Sequence, residues 1–262
     1  MIFWQSLVGR ILRNRAPGPV RIVDLGRIDG PLYAIGDVHG CRALLRAALA
    51  GIRADAGPDE PTVIVLGDLV DRGPDSAGVL DDMTAAATAN PRTMALMGNH
   101  ERMMLNFLAD PPRAWDWLQQ GGFETLRSYG LSLPPSQRLN TRRLHQMLAA
   151  HIPDHHRAWL EGLAQGYRAS IGGKDYLFTH AGMDGTRPIA MQREQALLWG
   201  RDVSPAPDGL CVVQGHVIVT HPHLSDGAIR IDTGAFATGV LTVLRLSSGQ
   251  PPKVMSFGSL NN

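Results

Sequence analysis

The sequence predicts a layered α/β fold, and three observations predict it. Short apolar runs recur, each stopping at a cluster of glycine and polar residues. Helical patterns separate the first three runs. The polar clusters also keep one spacing. Asp37 to Asp68 and Asp68 to Asn99 are both thirty-one residues, the size of a βαβ unit. Strands and helices alternating in this way build sheets with helices packed on their faces.

Taken in order, Leu32–Ile35 is the first strand and runs into Gly36-Asp37-Val38-His39-Gly40. Cys41–Arg53 follows as a helix, with Leu44, Leu45, Ala48, Leu49 and Ile52 on one stripe. Val63–Leu66 runs into Gly67-Asp68-Leu69-Val70-Asp71-Arg72-Gly73, and Asp75–Ala89 is an Ala-rich helix. Thr93–Met97 runs into Gly98-Asn99-His100-Glu101. Residues 101–170 then break the rhythm, with helical patterns, Trp115, Trp117 and Trp159, and breakers at Pro111-Pro112, Gly121-Gly122 and Pro134-Pro135. We expect a single domain over 1–262, with 1–20 as an N-terminal extension and about 103–170 as a mostly helical insertion or cap. Strands resume at Tyr176–Phe178, before Thr179-His180-Ala181-Gly182, and at Leu210–Val213, before Gln214-Gly215-His216. Ile229–Ile231 runs into Asp232, and Val240–Leu246 is the last clear strand. These late strands predict a second, largely antiparallel sheet stacked on the first.

Composition narrows the function. The chain has 262 residues, a formal charge of +1, 44% apolar and 19% charged residues. These values exclude a highly charged disordered chain, a collagen-like repeat and a disulfide scaffold. Two cysteines, Cys41 and Cys211, read as reduced thiols of a cytoplasmic protein. Near-neutral charge argues against nucleic-acid binding, and no apolar run reaches the ~20 residues that span a bilayer. Residues 1–15 carry apolar pairs at helical spacing with Arg10, Arg13 and Arg15. That pattern suggests a helix docked on its own domain or a partner subunit, with membrane-surface contact as the alternative. Oligomeric state stays open.

Ten histidines beside two cysteines mean that any bound metal is held by imidazole and carboxylate rather than thiolate. Five strand ends deliver Asp37, His39, Asp68, Asp71, Arg72, Asn99, His100, His180 and His216, and ligands of open α/β sheets bind at such ends. Asp37 and His39, two apart, point the same way if the backbone is extended. Converging carboxylates stay ionised only if cations neutralise them, which suits Mn, Fe or Zn with open coordination positions.

Together the Gly36–Gly40, Gly67–Gly73 and Gly98–Glu101 motifs, the His180-Ala181-Gly182 turn and Gly215-His216 resemble the five motifs of a known family. They are similar to the phosphoprotein phosphatase branch of the calcineurin-like metallophosphoesterases, the bacterial serine/threonine phosphatases included. The resemblance spans residues 32 to about 235. It implies a four-layer αββα sandwich of two mixed sheets around a dinuclear centre, with Mn expected and Fe or Zn as alternatives. Asp37, His39 and Asp68 would hold the first metal, and Asp68 would bridge to a second completed by Asn99, His180 and His216. Two such cations suit in-line attack of a bridging hydroxide on phosphorus.

His100 would protonate the leaving alkoxide. Asp71 would accept a hydrogen bond from the His100 ring and raise its pKa, or else pair with Arg72 within the loop. Arg72 would hold the phosphate, and Arg201 resembles a second phosphate-holding arginine. The implied substrate is a phosphorylated protein (phosphoserine or phosphothreonine) or another phosphate ester. The alternatives are a symmetrical diadenosine tetraphosphate hydrolase and a non-catalytic regulatory protein on the same fold.

Several positions depart from relatives. Met97 stands where many have arginine, Val217 where a threonine is usual, and Ile218 where nucleases of the wider superfamily carry histidine. Asp71-Arg72 and Glu101 differ from the usual pattern of the tetraphosphate hydrolases and favour a phosphomonoesterase. His145, His151, His155 and His156 are expected to be exposed or capping, and His221 and His223 at most to line the rim. The tryptophans are expected in the core of the insertion.

Overall fold

A computed structural model describes residues 20–133, 140–200 and 207–259. The helical pattern over 1–15, Pro134-Pro135 and Arg201 lie outside the described residues. The chain begins with β1 (Ile22–Arg27), β2 (Leu32–Ile35), α1 (Arg42–Ala56), β3 (Thr62–Val65), α2 (Ser76–Ala89), β4 (Thr93–Ala95) and α3 (Asn99–Ala109). A 3-10 helix (Trp115–Gln120) leads to α4 (Gly122–Ser128), α5 (Thr141–His151) and α6 (Asp154–Glu161). The later elements are β5 (Gly166–Ile171), β6 (Lys174–Thr179), α7 (Glu194–Trp199) and β7 (Leu210–Gln214). They continue with β8 (His223–Leu224), β9 (Ala228–Arg230), α8 (Ala235–Thr238), β10 (Val240–Leu246) and β11 (Lys253–Gly258).

Side-chain alternation sets the layers. On β2, Leu32 and Ala34 pack with Ile64, Phe178 and Val213 between the two sheets, whereas Tyr33 and Ile35 pack with Leu45, Ile52, Val79 and Met83 beneath α1 and α2. A strand buried on both faces reads as a continuous apolar run, which is why this one was visible without alternation. Each such side chain contributes about 1.5–3 kcal/mol by leaving water. The outer face of the second sheet, Leu177 and Val212, is covered by Leu197 of α7 and by Met183. Helices, sheet, sheet and helix give the expected four layers.

Both sheets are mixed. The first has the order β11-β10-β2-β3-β4, with β2, β3 and β4 parallel and β10 antiparallel to both β2 and β11. The second has the order β1-β5-β6-β7-β9-β8. Here the expectation of a largely antiparallel sheet is corrected, because β6, β7 and β9 run parallel and β1 runs parallel to β5. The connections after β6 and β7 are crossovers that carry the His180 and His216 loops, so the strands must run the same way. The late hairpin β10–β11 joins the first sheet instead. Strands β1, β5, β8 and β11 gave no clear signal, since none is a compact apolar run. Strand β5 also ends the helical insertion earlier than expected, at Gly166. The insertion packs into the same apolar cluster as α1 and α2, through Phe107, Trp117, Leu126, Leu148 and Leu160.

Candidate active site

The C-terminal ends of β2, β3, β4, β6 and β7 meet at one edge of the sandwich, where their loops are bonded to one another. His39 and Val38 donate backbone N–H groups to Asp68 O, at 2.8 and 3.1 Å, and Gly40 donates to Leu69 O at 2.8 Å. Glu101, buried in the first turn of α3, accepts four backbone N–H groups. Its Oε2 takes those of Asp68 and Gly98, at 2.8 and 2.9 Å, and its Oε1 those of Leu69 and Val70, at 2.7 and 3.1 Å. Burial and the neighbouring Asp68 charge push Glu101 up to about 8, against the pull of those donors.

These bonds hold an unusual backbone. Among the described residues, the non-glycine positions with positive φ are His39, Asp68, Asp71, Arg72 and His216. Every one was singled out from sequence. Left-handed backbone costs roughly 1–3 kcal/mol per non-glycine residue and persists only where surroundings over-determine it. His39, with φ +43°, corrects the expectation of an extended Asp37–His39 pair. Gly67, with φ +98°, lies where a Cβ would come within 2.8 Å of the Gly98 nitrogen, so two strand ends approach only because both positions are glycine.

Glu101→Gln tests this scaffold. An amide NH2 cannot accept, so about two of the four bonds are lost and their donors stay buried. The expected cost is about 2–4 kcal/mol, read as a lower thermal midpoint, whereas an unchanged midpoint would remove Glu101 from this role.

The side chains converge in two groups that share Asp68. His39 Nε2 lies 3.4 Å from Asp68 Oδ2, and His180 Nε2 lies 3.4 Å from Asp68 Oδ1. His180 Nε2 is also 2.9 Å from Asn99 Oδ1 and 3.2 Å from His216 Nδ1. The other ring nitrogens fix the tautomers. His39 Nδ1 faces Val70 O at 2.8 Å and His180 Nδ1 faces Leu66 O at 2.9 Å, so each donates there and leaves Nε2 a bare lone pair. At His180 that lone pair faces the oxygens of Asn99 and Asp68, an arrangement of acceptors that a cation resolves. The donor set therefore fits divalent metal. Asp37 joins through its carboxylate, which accepts from His216 N at 3.0 Å.

Charge in the site is strongly perturbed. Burial, and then Asp232 and Asp68, hold Asp37 well above the usual carboxylate range. Burial pushes His180 down to about 3 and His100 down to about 4, and it lowers His39 well below normal. Neutral imidazole is the ligating form. Burial also raises Asp232 to about 6. These raised carboxyls favour folding below their unfolded pKa values, and that advantage is lost as pH rises through the folded ones. The neutral histidines act in the opposite sense, favouring folding more as pH rises through the ordinary imidazole range, so the two sets of groups oppose each other between pH 6 and 8.

Beside the metal-type groups sits a hydrogen-bonded pair. His100 Nδ1 lies 2.6 Å from Asp71 Oδ2, both residues buried. Trp117 Nε1 donates to Asp71 Oδ2 and Thr125 Oγ1 to Oδ1, each at 2.7 Å, and these donors favour the carboxylate against the upward push of burial. The shared proton accordingly sits on Nδ1. At His100 burial outweighs the upward pull of the Asp68 charge. Arg72 extends its fork to His39 Nε2 at 2.9 Å and His100 Nε2 at 3.0 Å, with its guanidinium 4.7 Å from the Phe236 ring centre. It does not pair with Asp71.

Sequence reasoning missed several of these groups. Asp232 carried the same signal as the others, a polar residue at the end of an apolar run. Trp117 is in the core, as expected, yet its N–H reaches Asp71. Ser76 and Thr125 accept the Asp71 N–H at 3.0 and 2.8 Å, and nothing in their sequence marked them. Met97 is buried among apolar residues, and Ile218 is exposed. His145, His151, His155, His221 and His223 are exposed, but His156 is buried, correcting that expectation. Cys41 stands just before α1, partly buried and making no side-chain cap, with burial pushing its thiol up to about 11.

Residues 30–238 match the family described as calcineurin-like phosphoesterase, most of the chain. The chain belongs to the calcineurin-like phosphoesterases. Members share a metallophosphoesterase sandwich with a dinuclear metal centre, which the Asp68-centred groups accommodate. This phosphoesterase is 25% identical over 226 residues to serine/threonine-protein phosphatase 2 of Salmonella typhimurium, covering 82% of the chain and 92% of that relative. It is 34% identical over 152 residues to the symmetrical bis(5'-nucleosyl)-tetraphosphatase of Acidovorax sp., covering 58% of the chain and 44% of that relative. The chain spans 25% to 44% of the length of several curated relatives it matches. A crystal structure provisionally described as a diadenosine tetraphosphatase superposes with a TM-score of 0.66, at 21% identity, over 93% of this chain and 100% of the other. No helix among the described residues is long and apolar enough to cross a membrane.

Proposed function

We propose that this phosphoesterase is a phosphoprotein phosphatase of the bacterial serine/threonine type, hydrolysing phosphoserine and phosphothreonine monoesters. The observation that carries the reading is the buried His100–Asp71 pair set beside Arg72 at the edge of the Asp68-centred groups. A monoester with a poor alkoxide leaving group needs an acid at that place. Near full-length similarity to a phosphatase of Salmonella typhimurium supports it.

Asp37, His39 and Asp68 would hold one divalent cation, and Asp68, Asn99, His180 and His216 the other, Mn being the first choice. When bound, the pair supplies Lewis-acid charge and an activated water. The chain's own residues do the rest. Arg72 leaves the two ring nitrogens and takes the phosphoryl oxygens in its planar fork, kept in place by Phe236. Once Arg72 has left Nε2 for the phosphate, the Asp71 carboxylate stabilises the His100 imidazolium, which takes its second proton from solvent and delivers it from Nε2 to the departing oxygen. Glu101 keeps the Asp68 loop rigid, so both groups stay in register. Arg201 is the candidate for a second phosphate contact.

The competing reading is symmetrical dinucleoside tetraphosphate hydrolysis, favoured by the Acidovorax relative and the superposed structure. The test is Mn-loaded protein assayed on a phosphoserine peptide and on diadenosine tetraphosphate. Peptide kcat/KM at least tenfold higher supports the proposal, and the reverse ratio overturns it.

A further inference from the structure

Away from the sheet edge, α2 and α6 bring three ligand-type side chains together: Asp81, His155 and His156. One candidate nitrogen or oxygen from each lies within 4.8 Å of the others. His156 is 1% exposed, and its Nε2 is buried without a hydrogen bond. Asp81 Oδ1 stands 3.1 Å away, at ion-pair distance. That separation compares with 2.9–3.4 Å between neighbouring ligand-type atoms around Asp68 and His180. It is also near the ~3.3 Å that separates two ligands of one tetrahedral metal with bonds of about 2.0–2.1 Å.

The surrounding contacts fit the same purpose. His156 Nδ1 lies 2.8 Å from the Tyr129 hydroxyl, and the tautomer that donates there is the one that turns an Nε2 lone pair toward Asp81 and an ion. Burial, then the His155 ring, lowers the His156 pKa and keeps the imidazole neutral. The His155 ring stands edge-on to it, with centroids 4.4 Å apart. Asp81 and His155 are exposed, leaving the remaining coordination position to solvent.

We propose that Asp81, His155 and His156 form a separate structural site for a transition-metal ion of the Zn class. Two imidazoles and one carboxylate suit that ion better than Mn or Mg. The ion would pin α6, from the insertion, to α2, whose first residue Ser76 contacts Asp71. The bond would add to the apolar packing that already joins the insertion to α2.

The test uses the full chain equilibrated with Zn, desalted and analysed for metal. Asp81→Asn and His155→Ala alter exposed side chains and leave the active-site groups untouched. Wild type is expected to retain one Zn per chain more than either variant, whatever the main centre holds. Its thermal midpoint should exceed the variants' by about 5 °C with Zn at a hundredfold excess over Kd, and match theirs after chelation. Equal Zn content in all three proteins overturns the site. So does an extra equivalent retained by both variants, because the ion then sits elsewhere.

Discussion

Replacing Asp68 with Asn is expected to lower kcat/KM by at least ~10³-fold while leaving the fold intact. Asp68 lies 3.4 Å from both His39 and His180, so it is placed to join the two groups. An amide offers one neutral oxygen in place of two charged ones. The lost charge stabilisation amounts to several kcal/mol in a buried site, and each 1.36 kcal/mol is tenfold in rate. The backbone should tolerate the change, because asparagine accepts the left-handed conformation that Asp68 adopts at φ +48°. Circular dichroism should be unchanged, metal content should fall, and turnover of a phosphoserine peptide should collapse. Activity within tenfold of wild type would remove Asp68 from the centre of the mechanism.

His100→Asn is expected to lower kcat on alkyl phosphates by about 10²–10⁴-fold, the range of a lost general acid. On p-nitrophenyl phosphate the loss should be much smaller, since nitrophenolate departs without a proton. This contrast separates proton delivery from a merely structural role. The geometry gives the reason: Asp71, 2.6 Å from Nδ1, orients the ring, and Trp117 and Thr125 hold Asp71 in turn. Equal losses on the two substrates would show that His100 does something other than protonate the leaving group.

The first three strand–loop units were legible because each signal is local. An apolar run that stops at glycine and a polar residue is written within ten positions, and both faces of β2 are buried, so no alternation was needed to see it. The second sheet was less legible. Strand direction there depends on crossovers rather than on composition, and β1, β5, β8 and β11 are too polar or too short to announce themselves. Glu101 was noticed only as a difference from other enzymes. Its part in holding four backbone donors appears once α3 is placed against the 67–70 loop.

By itself the sequence determined the layered α/β class, the strand ends that deliver chemistry, and a set of aspartate, asparagine and histidine side chains without thiols. Local apolar patterning and fixed spacing suffice for that. Only the tertiary structure decided which groups touch. Trp117 and Thr125 lie 46 and 54 residues from Asp71 in the chain, yet both donate to its carboxylate. Asp232 stands near Asp37, and His156 turned from an expected surface residue into a buried neighbour of Asp81. Such contacts depend on how helices and sheets dock, a long-range packing outcome that no window of sequence encodes.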